Sequence, residues 1–403
     1  MNLYLVASKA LLEKLIRTIN QYLFYYNSNY PNRAHILKFE LLFGHKMDII
    51  PALTTFTESI YGHVMAESLN KLENTFLSPF NIYTALGMVL SGGENNTKAE
   101  MMQVMQLSKD FEHSEVHDGI SKLLVYCSKS GQGVEIIFGN RLFMTPSMDV
   151  KKEFEQNLEK NYKAQSELVP FETDTENART RINQWVSEQT KGKIQELLSS
   201  GSVTSDTSVV VTSTTYFKGA WKLAFPKINT HDSKFYKLDG SKMKVQLMYN
   251  ESFFDMVELP HLKSRAVKIP FEDPMFTLLV ILPDAKDGLP NLINSLNEGN
   301  VLSSVLLSNG FDSIELQLYL PRFKLEKVVL LCISDVLHKA ILEVDEEGAV
   351  AAAATASTVI AFSACVSLKP VPEFRVDHPF FVSVVWNNIV PIFIGHITAP
   401  IDN

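Results

Sequence analysis

Two histidines four residues apart, His113 and His117, are the first side chains in this sequence whose spacing could support chemistry. At this spacing two helical residues share one face, as the paired zinc ligands of a metalloprotease do. That motif needs a glutamate directly after the first histidine, and here Glu115 stands one position late. The acidic residues around the pair predict a solvated surface, and we expect no metal site here.

The other patterns that could support catalysis are incomplete. The three cysteines, Cys127, Cys332 and Cys365, form no C-x-x-C pair, which excludes a zinc knuckle and a disulfide framework. The chain has no G-x-S-x-G elbow, and Gly131-Gln-Gly133 lacks the third glycine of a dinucleotide fingerprint. We therefore expect a protein that is not an enzyme and that uses neither a metal nor a cofactor.

One segment conflicts with its own local preferences, as functional segments often do. After a strand-like stretch at 341–344 come Glu346, Glu347 and Gly348, then an alanine-rich run at 349–356 and a β-branched stretch at 357–360. A buried alanine-rich helix is one interpretation of this composition. Against it, the run has no apolar stripe and no C-cap before the β-branched residues.

A loop able to enter a sheet as a strand fits the same residues better. Alternate residues of an inserted strand point inward, and in one register these are small or β-branched and uncharged. They are Ala349, Ala351, Ala353, Thr355, Ser357 and Val359. Burying them would leave no unpaired charge, and Gly348 would serve as the hinge.

The elements around this segment predict a large mixed fold. With 46% hydrophobic and 20% charged residues, the 403-residue chain can bury a large core. Helices are expected at 52–72, at 79–90 with Ser78 as N-cap, and at 176–199 with its main part ending near Gly192. Strands are expected at 209–216, 265–270, 276–282, 314–325, 332–344 and 379–386. The run 276–282 is nearly all apolar and should be buried on both faces.

Charge and the N-terminus exclude several classes of protein. The net charge of −8 and the lack of a basic stripe argue against nucleic-acid binding. The first 26 residues predict an amphipathic helix and not a standard signal peptide, since charged residues interrupt the apolar run. Two N-x-[ST] sequons, at Asn95 and Asn250, would matter only in a secreted chain. The compartment, extracellular or cytoplasmic, stays open.

Several runs in fixed order resemble the serpin family from Ala52 to Pro400. They are LSPFNIYTALGMVLSGG (77–93), INQWVSEQTKGKI (182–194), TTYFKGAWKLAF (214–225), LLVILP (278–283), LYLPRF (318–323), LHKAILEVDEEG (337–348) and IFIGHITAP (392–400). The resemblance implies an α+β serpin fold of three β-sheets and eight or nine helices in one domain, 47–403. The reactive loop would span about 348–371. Residues 1–46 would be an extension of unknown role, and Met47 stands where intracellular-type serpins begin.

The resemblance also implies a mechanism and its residues. In family inhibitors a serine protease attacks the exposed loop, forms an acyl-enzyme, and is trapped as a covalent complex when the loop inserts into the central sheet. The hinge would include Glu346, Glu347, Gly348, Ala349, Ala351, Ala353 and Thr355. The scissile residue lies fourteen positions after the hinge glycine, at Phe362 with Ser363 following, which suits a chymotrypsin-like protease. Counting back from PEFRVDHPF (372–380) gives a rival bond near Leu368-Lys369 and trypsin-like targets.

Four further residues match family positions that control opening of the central sheet: Ser78, Ser213, Trp221 and His338. Ser213 stands where the family usually has asparagine, so its hydroxyl lacks the reach of an amide. No polyanion cofactor is expected, and the chain should be a monomer that could polymerise.

The sequence departs from the family between the strand-like stretches 318–326 and 331–340. Serpins have a helix and a long loop there, whereas here only 327–330 separates the two. These four residues include none of the usual turn formers, and we interpret the gap as a deletion. The alternative functions are therefore a non-inhibitory serpin, or a deletion isoform that is cleaved as a substrate or polymerises.

Overall fold

The computed structural model describes residues 49–69, 73–108, 113–129, 131, 133–296, 301–306, 308, 310–331, 336–348 and 370–401. The helices in this part of the chain are α1 (Ile49–Leu69), α2 (Pro79–Gly92), α3 (Asn95–Val104), α4 (His113–Ser128), α5 (Lys152–Tyr162), α6 (Thr175–Gln189), α7 (Leu289–Leu296) and α8 (Val301–Leu306). The strands are β1 (Thr75–Leu77), β2 (Val134–Met144), β3 (Gln165–Leu168), β4 (Val209–Gly219), β5 (His231–Tyr236), β6 (Lys242–Leu259), β7 (Ser264–Pro270), β8 (Phe276–Pro283), β9 (Asp312–Pro321), β10 (Phe323–Leu331), β11 (Val336–Val344), β12 (Glu373–Arg375), β13 (Phe380–Trp386) and β14 (Val390–Ile397). Together they confirm the expected α+β class.

A five-stranded sheet in the order β10-β11-β4-β2-β3 holds most of the residues that the sequence singled out. β11 pairs antiparallel with β10 but parallel with β4, from Val336 opposite Val211 to Leu342 opposite Phe217. Parallel pairing is slightly less stable per residue than antiparallel pairing. The pairing between β4 and β11 is therefore weaker than its antiparallel neighbours, and we call this boundary the weak line of the sheet.

A nine-stranded sheet runs β1-β14-β13-β8-β7-β6-β9-β12, with β5 also paired to β6. The long strand β6 joins β5 along its first part and β7 along its last part, while β9 lies along its middle. This continuity merges strands that the family resemblance counts as two sheets into one hydrogen-bonded sheet.

The core lies where helices α1 and α2 pack against the strands of the large sheet and the back of the small one. Every residue of β8, β13 and β14 is buried, which confirms the prediction for 276–282. In the described chain no helix is long and apolar enough to span a membrane.

Two local predictions need correction or refinement. Ser78 caps α2 as expected, its hydroxyl accepting a hydrogen bond from the Asn81 N–H at 3.4 Å. The helix expected to reach residue 199 is wrong beyond Gln189, because Lys191 and Gly192 both adopt positive φ (+53° and +76°) and turn the chain.

The expected joint at 327–330 is also wrong. These residues belong to β10, which pairs with β11 from Phe323 opposite Val344 to Leu331 opposite Val336. Only residues 332–335 separate the two strands in the chain, and they lie outside the described residues. The two strands are thus antiparallel neighbours with a four-residue connection.

Candidate functional site

The segment Asp345–Gly348 leaves β11 and crosses the end of β4, where backbone hydrogen bonds hold it. The Trp221 N–H donates to the Glu347 carbonyl at 3.1 Å, and the Phe225 N–H donates to the Glu346 carbonyl at 2.8 Å. These bonds hold the start of the predicted hinge over the shared end of the two parallel strands.

The Glu346 side chain anchors this segment in a buried position. It is only 2% exposed, and its carboxylate accepts hydrogen bonds from Arg322 Nε at 2.9 Å and from the Thr230 hydroxyl at 2.5 Å. Burial raises the pKa of Glu346, but the hydrogen bonds from Arg322 and Thr230 outweigh it and leave the pKa below its usual value. The carboxylate is therefore charged and paired. Glu347, half-buried, pairs with Lys227 at 2.5 Å.

Gly348 lies against the backbone at the end of β4. Its φ is +94°, and a Cβ there would stand 2.1 Å from the Gly219 carbonyl oxygen and 2.7 Å from Trp221 N. A side chain would collide with backbone that cannot move aside, so this position requires glycine. Gly348 itself lies at the shared end of β4 and β11, bridged to Ala220.

Trp221 also contacts this segment through its side chain. Its indole stacks on Phe271 with ring centroids 4.6 Å apart, and its Nε1–H donates to the Asp345 carbonyl at 2.8 Å. The ring is 4% exposed. The structure thus brings Trp221 and the residues Glu346–Gly348 together.

His338, Ser213 and Ser78 meet in a second cluster, midway along the small sheet. The Ser78 N–H donates to His338 Nε2 at 2.9 Å, so Nε2 carries no proton. His338 Nδ1–H therefore donates to the Ser213 hydroxyl, 3.1 Å away. Burial, partly opposed by a hydrogen bond to the Ser213 backbone, lowers the pKa of His338 to about 3. The imidazole stays neutral and links α2, β4 and β11.

Two amides of this cluster, Asn81 and Asn140, were missed from the sequence. Asn140 Nδ2 donates to Asn81 Oδ1 at 2.7 Å, and Asn81 Nδ2 donates to the Thr214 carbonyl at 2.8 Å. The amides therefore come from α2 and β2, while β4 contributes the hydroxyl of Ser213. An asparagine inside the apolar run at 77–93 was the available signal.

Three buried polar atoms have no hydrogen-bond partner in the described chain: Asn140 Oδ1 and Thr215 Oγ1 beside this cluster, and Trp185 Nε1 on α6. Each such atom has lost its water without full compensation, which costs free energy. The closed sheet therefore contains a local source of instability close to its weak line.

The two sequons differ in accessibility. Asn95 is exposed at the start of α3, whereas Asn250 is half-buried in β6. Asn250 Nδ2, the atom that a glycan would modify, donates to the Ala224 carbonyl at 3.0 Å. Of the two, only Asn95 presents a free amide.

The prediction of a solvated surface around His117 is wrong. It is 3% exposed on α4, and its Nδ1 hydrogen-bonds the Tyr162 hydroxyl of α5. Packing of α4 on α5 buries this face, so the histidine belongs to the core. In the part of the chain that the structure describes, no group of three or more metal-ligating side chains converges.

The predicted reactive bond and most of the hinge lie outside the described residues. They are Phe362, Ser363, Ala349, Ala351, Ala353, Thr355 and the rival bond at Leu368-Lys369. The described chain stops at Gly348 and resumes at Pro370, which leads into β12.

Comparison with known proteins decides the family. The family model described as Serpin (serine protease inhibitor) matches residues 51–331 and 326–400, which together cover most of the chain. The chain belongs to the serpin family. The match comes in two parts that meet at β10, the strand beside the short connection.

Relatives and solved structures agree with this assignment. This serpin is 33% identical to Serpin B6 of Macaca fascicularis over 358 residues, covering 81% of this chain and 94% of the relative. It is 31% identical to the leukocyte elastase inhibitor of Sus scrofa over 365 residues, covering 82% and 94%. The solved structure of Serpin48 from Tenebrio molitor aligns with a TM-score of 0.75 and 26% identity, covering 88% of this chain and 99% of that one.

Proposed function

We propose that this serpin inhibits serine proteases as a suicide substrate, with Phe362-Ser363 as the bond that a chymotrypsin-like protease attacks. The parallel pairing of β4 and β11, with Gly348 at their shared end, is the observation that best supports this proposal. A strand that turns back at Gly348 runs antiparallel to β11 and, because β4 is parallel to β11, antiparallel to β4 as well. Insertion then replaces one parallel interface by two antiparallel ones.

The length of the loop suits the sheet. β4 has 11 residues, so a full inserted strand needs about 36 Å of extended chain. Residues 349–359 supply that length, and their inward-facing side chains are small or β-branched. Phe362 would then lie past the far end of β4. A protease acylated there would be carried from one end of the sheet to the other.

The contacts of the hinge residues suit a loop that stays outside the sheet until it is cleaved. Glu346 is held by Arg322 and Thr230, and Trp221 binds the backbone on both sides of it. These contacts fix the residues before the loop without occupying the line between β4 and β11. The loop is then free to insert once its other end has been cut.

The decisive experiment is incubation with chymotrypsin, followed by denaturing electrophoresis and mass spectrometry. We expect a complex that survives denaturation and a released peptide beginning at Ser363. The variant Phe362→Asp should form no such complex, because an apolar specificity pocket rejects a carboxylate. A peptide beginning at Lys369 would identify the rival bond at Leu368-Lys369. Cleavage without any complex would contradict inhibition.

A substrate role is the second candidate, and the four-residue connection between β10 and β11 is the observation that favours it. The two strands must move together when the sheet opens, and a short connection restricts how they shift. Melting before and after loop cleavage separates the two candidates. An inhibitor should melt at a much higher temperature after cleavage, whereas a serpin that cannot insert its loop should not.

A further inference from the structure

A cleft opens beside β2, between the end of α5 and helix α6. Its volume is about 340 Å³, far more than the roughly 30 Å³ that a water molecule takes in the liquid. Residues 138–141 of β2, residues 163–165 at the start of β3, and Trp185 and Gln189 of α6 line it. A space of this size lies at the small end of the range of ligand pockets, about 300–1,000 Å³, and suits a small molecule.

The cleft exists because β2 is longer than its neighbour β3. β4 pairs with β2 from Val134 to Met144, whereas β3 pairs only with residues 141–144. In the described chain no strand covers the outer edge of residues 134–140. Helix α6 closes part of this gap, with Trp185 in an edge-to-face contact with Phe143 at 5.8 Å between ring centroids. The cleft therefore follows from the lengths of the two strands.

Two residues of the walls carry buried polar atoms without a hydrogen-bond partner in the described chain. They are Asn140, 7% exposed, with its Oδ1, and Trp185, 4% exposed, with its Nε1–H. Asn140 Nδ2 donates to Asn81 Oδ1 at 2.7 Å, which leaves the oxygen as the unpaired atom of this amide. The needs of the two atoms are complementary, because one requires a donor and the other an acceptor. A molecule that offers both would recover the free energy lost by burying them.

The main charge of the walls is already neutralised. Arg141 lies over the Trp185 ring, 5.0 Å from its centroid, and its Nη1 pairs with Glu167 at 2.6 Å. At the rim, Glu159 and Lys163 are exposed and of opposite sign. Among the described wall residues a charged ligand finds no unpaired buried partner, so the walls favour a neutral one. Because the guanidinium covers one face of the indole, Trp185 offers its N–H edge to a ligand rather than a stacking surface.

We infer that the cleft binds a small neutral polyol of the size of a monosaccharide. A hydroxyl group both donates and accepts hydrogen bonds, so it can donate to Asn140 Oδ1 and accept from Trp185 Nε1–H. Gln165 and Gln189, exposed amides of the same walls, supply partners for the remaining hydroxyls. The bound molecule would hold α6 against β2. This role is independent of the proposed function, because no protease takes part in it.

The test is titration of the full chain with glucose and with myo-inositol, measured by saturation-transfer NMR and calorimetry. At ordinary ligand efficiency a molecule of about twelve heavy atoms binds with a Kd on the order of 1 mM. Trp185→Phe keeps a large ring and removes the N–H, so it should weaken binding about fivefold. Gln184→Ala, an exposed neighbour on α6 outside the cleft, should bind as the unmodified chain does. Gln189→Trp places a bulky side chain at the opening and should abolish binding.

Melting separates binding in the cleft from the general effect of sugars on protein stability. At about 10 mM each sugar should raise the melting temperature by about 2 °C through binding, and by less in Trp185→Phe. Exclusion of sugar from the protein surface would raise it equally in both chains. No NMR signal with either sugar overturns the inference, as does unchanged binding by Trp185→Phe or Gln189→Trp. Glucuronate should bind about fivefold more weakly than glucose, and equal binding overturns the assignment of a neutral ligand.

Discussion

His338 of β11 and Ser213 of β4 lie directly opposite each other and hydrogen-bond through their side chains at 3.1 Å. Their bond crosses the parallel pairing that an inserting strand would have to separate. The Ser78 N–H on the other ring nitrogen fixes the neutral tautomer. This one imidazole therefore ties the weak line of the sheet to helix α2.

Acid should weaken the fold through His338. The folded protein holds this imidazole neutral, with a pKa of about 3, whereas the unfolded chain binds a proton below its ordinary pKa near 6.5. Falling pH therefore favours the unfolded state between about pH 6.5 and 3, by about 1 kcal/mol per pH unit. Urea unfolding at several pH values should show this loss. His338→Gln should flatten the pH dependence, and an equally steep slope in that variant would contradict the assignment.

Removing Arg322 should loosen the hinge. Arg322→Ala leaves the buried Glu346 carboxylate with Thr230 as its remaining described side-chain partner, at a cost of about 2 kcal/mol for the lost hydrogen bonds to a charged group. We expect a lower melting temperature. We also expect polymers to form faster on mild heating, as native gels would show. The matched control is Lys227→Ala, which removes an exposed cation from the half-buried Glu347 and should change little. Equal effects from both variants would refute a special role for Glu346.

Gly348→Ala should lower the free energy of unfolding by more than backbone strain alone can explain, because Gly348 lies against the backbone at the end of β4. Gly240 has a similar positive φ of +77° but nothing within 4 Å of its missing side chain. Gly240→Ala should cost about 1 kcal/mol from strain alone. Gly348→Ala adds a collision with the Gly219 carbonyl and should cost at least about 2 kcal/mol. Chemical unfolding measures both, and similar values would rule out the collision.

Thr215→Val should stabilise the closed sheet. The buried Thr215 hydroxyl makes no hydrogen bond within the described chain, so replacing it by a methyl group of similar shape should add about 1 kcal/mol. Thr214→Val is the neighbouring control, because the Thr214 hydroxyl donates to the Gly139 carbonyl at 3.3 Å and its loss should destabilise. If the melting temperature of Thr215→Val falls, the hydroxyl has a partner after all.

A charge at an inward position of the loop should abolish trapping while sparing cleavage. Ala353→Arg would bury a guanidinium on insertion, whereas Ala352→Arg, one residue away, would point outward. With chymotrypsin, Ala353→Arg should yield mostly cleaved chain and Ala352→Arg mostly complex, as densitometry of denaturing gels would show. The reverse pattern would mean that the insertion register is shifted by one residue.

The sequence alone was sufficient for the family and the fold class. Buried strands such as β8 and the capped start of α2 follow from local rules, because apolar runs and N-caps act over a few residues. The order of the family motifs pointed to Ser78, Trp221, Glu346 and His338 as candidate site residues before any contact was known.

Contacts between distant segments were decided only in the tertiary structure. The pairing of Glu346 with Arg322, the burial of His117 and the true position of the β10–β11 connection each depend on how separate segments pack. A local pattern fixes which face of an element is apolar, but not which neighbour covers it. The charge on Glu346 and the neutrality of His338 are set by those neighbours, because burial and hydrogen bonding decide where a proton binds.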